Sequence, residues 1–135
     1  MKNNSGLTIN KKVDVKTFFY QYILLLSPIL KLRKQEAEVF SQLLFFNYKY
    51  RDLEESLRSK IIFDYDTKTE IRYDLKNKYN EPMSYHSFYN IITSLRKKGM
   101  LIDNKINPSY IVTVPKDKNY NLSFNWLIDD SEEAK

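Results

Sequence analysis

The chain has 135 residues, of which 42% are hydrophobic, so it is long enough to form one domain with a substantial core. Two glycines and four prolines argue against a disordered or turn-rich all-β protein. The absence of cysteine excludes disulfides, thiolate metal ligands and cysteine nucleophiles. The net charge of +5 arises mainly from residues 1–30 and 83–118, which favours an anionic partner for those parts of the chain. A lysine-rich composition can also give a positive charge in a protein that has no binding surface for anions.

The first 16 residues are polar and lysine-rich, and we predict that 1–16 form an N-terminal basic arm. Their isolated apolar positions suit either an added strand or a flexible arm. An apolar run follows at 18–32, interrupted by Gln21, Ser27 and Pro28. It is too short and too interrupted to span a bilayer, so we expect no membrane partner, and the polar lead does not suit a signal peptide. The run predicts a buried helix that ends near Ser27.

Two amphipathic elements follow in the sequence. Positions 33–50 predict a helix, because apolar residues recur at the spacing of one helix face, at Ala37, Phe40, Leu43 and Leu44. Positions 51–62 predict a shorter amphipathic element with an apolar stripe at Leu53, Leu57 and Ile61. Its acidic residues have no histidine at metal-ligand spacing and are interpreted as a solvated face.

A third helix is predicted from Lys68 to Tyr79. Residues 63–66 are predicted as a loop, after which Thr67 and Glu70 have the spacing of a capping box. Ile71 and Leu75 are its expected buried positions, and Asn80 and Pro82 are expected to end it.

The next helix is the clearest in the chain. Ser84 is expected to start it, basic residues in its last turn suit the helix dipole, and Gly99 suits a left-handed C-cap. Its predicted buried stripe consists of Phe88, Ile91, Ile92 and Leu95. Two strands are predicted after it, Met100–Ile102 and Tyr110–Val114, with a seven-residue polar tip between them.

The run SYHSFYNIITSLRKKGMLI, residues 84–102, resembles the recognition helix and first wing strand of winged helix-turn-helix proteins of the MarR-like and replication-initiator-like kind. The run LRKQEAEVFSQLL, residues 32–44, resembles the first helix of that fold, and the resemblance covers about 30–115. It implies a mainly α protein with a small β-hairpin (α+β), organised as a single winged-helix-like domain over 17–128. The chain departs from the family pattern by its extra element at 51–62 and by a first helix that lacks a Ser or Thr cap.

The resemblance implies binding of duplex DNA by helix 84–98 and wing 100–114. The implied contact residues are Tyr85, His86, Ser87, Tyr89, Asn90, Thr93, Arg96, Lys97, Lys98 and Lys105. Asn90 suits adenine, but no arginine stands at the positions that face base edges. The basic run 96–98 suits phosphate contact and a solvated helix terminus equally well. His86, the single histidine, has no companion for metal binding or catalysis.

The C-terminal segment alternates aromatic and polar residues, which predicts a strand with one aromatic face. This strand either joins the wing or binds a partner through Tyr120, Phe124 and Trp126. Residues 129–135 are predicted to form an acidic tail.

No paired acids, nucleophile with its base, or phosphate loop is present in the sequence, so we predict a non-enzymatic protein without a cofactor or metal. The first hypothesis is a cytoplasmic DNA-binding winged-helix protein, either a transcription regulator or a replication-related factor. The alternative is an assembly module of the same shape, a homo-oligomer or part of a protein complex, such as a phage virion structural or connector subunit.

Overall fold

The computed structural model describes residues 12–76 and 80–114. Five helices are followed by a two-stranded antiparallel sheet and a 3-10 turn: α1 (Val15–Leu30), α2 (Lys34–Lys49), α3 (Glu55–Ile62), α4 (Tyr65–Asp74), α5 (Tyr85–Lys97), β1 (Leu101–Ile102), β2 (Lys105–Ile106) and Pro108–Tyr110. The described part is thus mainly helical with a small sheet, which confirms the α+β class. Residues 1–11 of the predicted arm, the predicted acidic tail, and the predicted partner-binding residues Tyr120, Phe124 and Trp126 lie outside the described residues.

Helix α2 lies at the centre of the fold. It packs against α1, α3 and α5, while α4 packs on α3 and β1 on α5. Apolar residues on several sides of this helix are fully buried, among them Val39, Phe40, Leu43 and Leu44. The prediction for 33–50 is confirmed, with Arg33 and Tyr50 as the two caps.

Helix α1 is one turn longer than predicted. It passes Ser27 and Pro28 and ends at Leu30, with Lys31 in the left-handed conformation at φ 56°. A proline in the last turn removes only one N–H of the helix ladder, so the helix can continue past it. The carbonyl of Ser27 accepts the N–H groups of Lys31 and Leu32, which closes the end of the helix.

The prediction of a buried α1 is wrong for one face of the helix. Phe19 and Ile23 are fully buried, but Leu24, Leu25 and Ile29 are exposed by 37%, 48% and 68%. The described residues cover only the side of α1 that faces α2. An apolar surface therefore remains on the opposite side.

The predicted stripe of α3 is also wrong. The helix begins only at Glu55, so Leu53 lies in the preceding turn, and Leu57 is exposed. Ile62 and Phe63 provide the buried contacts instead. Eight residues are too few for periodicity to determine the buried face.

Helix α4 begins one turn earlier than predicted. Asp64 is its N-cap, and the Asp64 carboxylate accepts a hydrogen bond from the Thr67 N–H at 2.8 Å. The Thr67 hydroxyl donates to the carbonyl of Ile61, so the predicted capping box is wrong. The predicted loop at 63–66 is limited to residues 63–64, because the helix begins at Tyr65. Asp64 and Thr67 are both good cap residues, and the aspartate is used. Ile71 is buried as predicted.

Helix α4 ends at Asp74, and two hydrogen bonds fix the start of the next helix to it. The Met83 N–H donates to the Arg72 carbonyl at 3.0 Å, and the Arg72 Nε donates to the Met83 carbonyl at 2.8 Å. The prediction that this helix reaches Tyr79 is wrong, because the Leu75 N–H donates the closing hydrogen bond to the Ile71 carbonyl and the backbone leaves the helix there; Leu75, predicted to be buried, is half-buried. Residues 77–79 are not described.

Helix α5 confirms its prediction at both ends. The Ser84 hydroxyl accepts from the Ser87 N–H at 3.1 Å, and Gly99 follows the helix at φ 77°. The predicted stripe is buried, namely Phe88, Ile91, Ile92 and Leu95.

The hairpin after α5 is shorter and tighter than predicted. Leu101 pairs with Ile106 and Ile102 with Lys105, so the turn consists of two residues, with Asp103 at φ 55°. The predicted seven-residue tip and the predicted strand at 110–114 are therefore wrong. An aspartate tolerates the left-handed conformation that such a turn needs, which allows the chain to reverse before the predicted tip.

A buried carboxylate joins three parts of the fold. Glu36 is fully buried near the start of α2 and accepts hydrogen bonds from the Arg33 N–H at 2.8 Å, from Lys98 Nζ at 2.7 Å and from the Ser94 hydroxyl. Lys98 also donates to the carbonyl of Lys31 at 2.8 Å. The ends of α1 and α5 are thereby held at the start of α2.

Burial disfavours the charged form of Glu36, but these hydrogen bonds outweigh it and lower the pKa of the carboxyl from its ordinary value of 4.5 to about 2. The unfolded chain therefore binds a proton at this position more readily than the folded chain does. Glu36 consequently stabilises the fold above its ordinary pKa, and this contribution is lost as the pH falls towards the folded value.

We predict that Glu36→Gln lowers the free energy of unfolding by about 3 kcal/mol at neutral pH, because the shift in pKa corresponds to about that coupling. The difference from wild type should shrink as the pH decreases from about 5 to about 2. Urea denaturation at several pH values measures both effects. Glu70→Gln makes the same chemical change at an exposed position of α4, and as the control its free energy of unfolding at neutral pH should stay within about 0.5 kcal/mol of that of wild type. Parallel pH profiles for wild type and Glu36→Gln would contradict the assignment.

Candidate nucleic-acid interface

Helix α5 presents a polar and aromatic face to solvent. Its buried stripe turns towards the core, so the predicted contact residues on the other side are exposed, namely Tyr85, His86, Tyr89, Asn90, Thr93 and Lys97. Ser87 differs from these residues: it is only partly exposed, and its hydroxyl oxygen accepts a hydrogen bond from the Ser84 hydroxyl at 2.9 Å. Ser87 thus belongs to the helix cap.

The three consecutive basic residues at the end of α5 have different environments. Arg96 donates from Nε to the Asp103 carbonyl at 3.1 Å and from its terminal nitrogen to the Asn104 side chain at 2.9 Å. Lys98 binds Glu36, as described above. Lys97 is exposed and forms no ion pair within the described ranges. A carboxylate thus neutralises Lys98, neutral acceptors hold Arg96 in place without neutralising it, and within the described ranges Lys97 is the one of the three that is held by neither.

The hairpin adds one further cation to this end of the surface. Lys105 is exposed and directly follows the turn that Arg96 holds. Because Arg96 belongs to the last turn of α5, its two hydrogen bonds keep the hairpin turn beside that end of the helix. Among the residues that the structure describes, Lys97 and Lys105 are consequently the lysines without an ion pair at the C-terminal end of the surface.

Two further cations lie at the N-terminal end of α5, and the sequence interpretation missed both. On α4, Lys68 Nζ lies 5.8 Å from the ring centre of Tyr89, and the Arg72 guanidinium lies 5.4 Å from that of Tyr85. The two tyrosine rings contact each other with their centres 5.4 Å apart. Lys68 and Arg72 are four residues apart on α4, and Tyr85 and Tyr89 are four residues apart on α5, so each pair lies on one helix face. This spacing is the sequence feature from which the cluster could have been predicted.

The acidic residues of α4 lie away from this surface. Asp66 and Glu70 are exposed, and helical periodicity puts them on the side opposite to Lys68. Asp74 pairs with Lys16 of α1 at 2.7 Å, and hydrogen bonds from Lys16 and then from Gln42 keep the pKa of Asp74 below its usual value against the effect of burial. Helix α4 thus presents its cations, rather than its carboxylates, to α5.

The described residues show neither a metal site nor a membrane-spanning helix. Within 12–76 and 80–114, no group of three His, Asp or Glu side chains is arranged to hold a metal ion. No helix in the same ranges is long and apolar enough to cross a membrane. Comparison with known proteins gives no match, whether the chain is compared with family models, with curated proteins or with solved structures.

We predict that Arg96→Ala loosens the hairpin, because it removes both hydrogen bonds to the turn, each contributing about 1 kcal/mol. Amide hydrogen exchange should accelerate at Lys105 and at Asn107, whose N–H donates to the Met100 carbonyl at 2.9 Å, and stay unchanged in α2. Lys97→Ala, which changes the neighbouring exposed cation, is the matched control. Equal exchange rates in the hairpins of the two variants would show that Arg96 does not hold the turn.

Proposed function

We propose that this protein binds DNA through α5 and the hairpin, as a transcription regulator or a replication-related factor with a short wing. The observation that supports the proposal best is the exposed face of α5, which is polar and aromatic and has free cations at both ends. Lys97 and Lys105 flank its C-terminal end, and Lys68 and Arg72 flank its N-terminal end. A helix that carries uncharged hydrogen-bonding groups between cations suits a nucleic-acid groove bordered by phosphates.

The side chains divide into two groups by their chemistry. Asn90 suits the hydrogen-bonding edge of adenine, and the Thr93 methyl group suits the methyl group of thymine. Lys97 and Lys105 suit phosphates, which position the protein without reading sequence. Arg96 and Lys98, which the resemblance includes among the contact residues, are engaged within the fold. Because phosphate contacts supply most of a protein's affinity for DNA, we expect most of the binding free energy to be electrostatic.

We predict that replacing both Lys97 and Lys105 by alanine weakens binding to duplex DNA on the order of a hundredfold at about 50 mM salt, since the counterion-release term of both phosphate contacts is lost. The dependence of log K on log salt should become shallower by about 2, because each lost phosphate contact removes about 0.9 from the slope. Fluorescence anisotropy at several salt concentrations measures both quantities.

The matched control replaces two exposed lysines outside this surface, Lys34 on α2 and Lys60 on α3. That variant has the same net charge as the test variant and should keep a steeper salt dependence. If wild type binds no DNA at low salt, or if both double variants lose affinity equally, the proposed interface is wrong.

A second candidate function, an assembly module such as a virion structural or connector subunit, is favoured by the outer face of α1. Residues 17–30 contain no charged side chain, and Leu24, Leu25 and Ile29 are exposed on that helix. The chain has a net charge of +5, so an uncharged face is the kind of surface on which two copies meet without repulsion.

Under this second candidate, Leu25→Glu combined with Ile29→Glu should weaken self-association by roughly tenfold or more, because the variant introduces unpaired charge into an apolar contact. Light scattering over a range of concentrations measures the effect. Leu57→Glu, at an exposed position of α3, is the control and should behave as wild type. A wild-type protein that is monomeric at every concentration and copurifies with no partner would count against the assembly function.

A further inference from the structure

We propose that Tyr85 and Tyr89 form a stacking site for an unpaired base, so that the preferred ligand is DNA with a single-stranded stretch next to a duplex. This inference rests on the proposed DNA-binding function and specifies the class of DNA. The observation behind it is the aromatic and basic cluster at the junction of α4 and α5, which consists of Lys68, Arg72, Tyr85 and Tyr89.

The two rings are accessible to a ligand. Tyr85 is 43% exposed and Tyr89 is 46% exposed, although both lie against neighbouring side chains. Their planes are inclined by 42° and their centres are 5.4 Å apart. Because the rings already contact each other, a base stacks on their exposed outer surface rather than between them. Stacking on tyrosine accepts any base, since every base has an aromatic face.

The cations of the cluster are available to a phosphate group. Within the described part of the chain neither Lys68 nor Arg72 forms an ion pair with a carboxylate. Arg72 uses Nε to bind the Met83 carbonyl, which fixes the position of the guanidinium beside Tyr85. A nucleotide combines a flat ring with a negative charge, and this cluster combines flat rings with positive charges.

Duplex DNA alone leaves the faces of the two tyrosine rings unused. In a duplex the faces of the bases are covered by their neighbours, so exposed rings reach only base edges and the sugar–phosphate backbone. Tyr85 and Lys97 are separated by twelve residues of helix, about 18 Å. The phosphate contacts at Lys97 and Lys105 are therefore well separated from the tyrosines, and one DNA molecule can offer a duplex to one end of α5 and an unpaired base to the other.

The test compares two DNA probes by fluorescence anisotropy: a blunt duplex about two helical turns long, and the same duplex with a single-stranded tail of about ten thymidines. Wild type should bind the tailed probe on the order of tenfold more tightly, because one stacked base contributes at least a factor of about 5. Tyr85→Leu with Tyr89→Leu should remove this preference, so that the variant binds the blunt and the tailed probe with equal affinity. Leucine keeps the apolar packing of the positions, and thermal unfolding confirms that the variant is folded.

Two further variants separate stacking from other roles of the tyrosines. Tyr85→Phe with Tyr89→Phe keeps the rings and should retain the preference for the tailed probe. Tyr65→Leu with Tyr73→Leu changes two exposed tyrosines of α4 outside the cluster and should also retain it.

Equal affinity of wild type for both probes would overturn the stacking site and leave the proposed DNA-binding function in place. A preference that persists in the leucine variant, or that is lost in the phenylalanine variant, would overturn it in the same way. Absence of binding to either probe would instead overturn the proposed function itself. Tight binding of the tailed probe that depends on both rings supports the inference.

Discussion

The buried carboxylate of Glu36 is the constraint on which the arrangement of the helices depends. A carboxylate that is removed from solvent stays charged only if its oxygens accept hydrogen bonds. For Glu36 the donors are the Arg33 backbone N–H, the Ser94 hydroxyl and the Lys98 ammonium group. A shift of α5 by one turn along α2 would leave this carboxylate without two of its partners. Apolar packing alone is far less selective, because many registers bury similar areas. Glu36 therefore contributes to the choice of one arrangement as well as to its stability.

This use of charge inside the fold changes how the basic composition is interpreted. Of the three consecutive cations at the end of α5, Lys98 satisfies Glu36 and Arg96 holds the hairpin turn. The cations that remain for a ligand include Lys68 and Arg72, which precede α5 in the chain by more than ten residues. Net charge and local runs of basic residues are thus poor guides to the surface, since neither shows which charges are already paired.

The sequence predicted α2 and α5 well because both are long enough for a clear apolar period, and Ser84 and Gly99 mark the ends of α5. The start of α4 was missed because Asp64 and Thr67 are both good caps, and local chemistry does not choose between them. Strands of two residues have no period to detect, so the second strand of the hairpin was placed too far along the chain. The role of Glu36 was not predictable, because Ser94 and Lys98 follow it by 58 and 62 residues.

The paired hydrogen bonds between Arg72 and Met83 have a consequence for the chain between them. These residues are 11 positions apart, and their reciprocal bonds fix the distance between the end of α4 and the start of α5. The position of α5 is thereby made independent of the length of the connecting segment, since lengthening a closed loop adds little entropic cost. The connection is accordingly a suitable place for a fluorophore or a short inserted tag, which would report on α5 without displacing it.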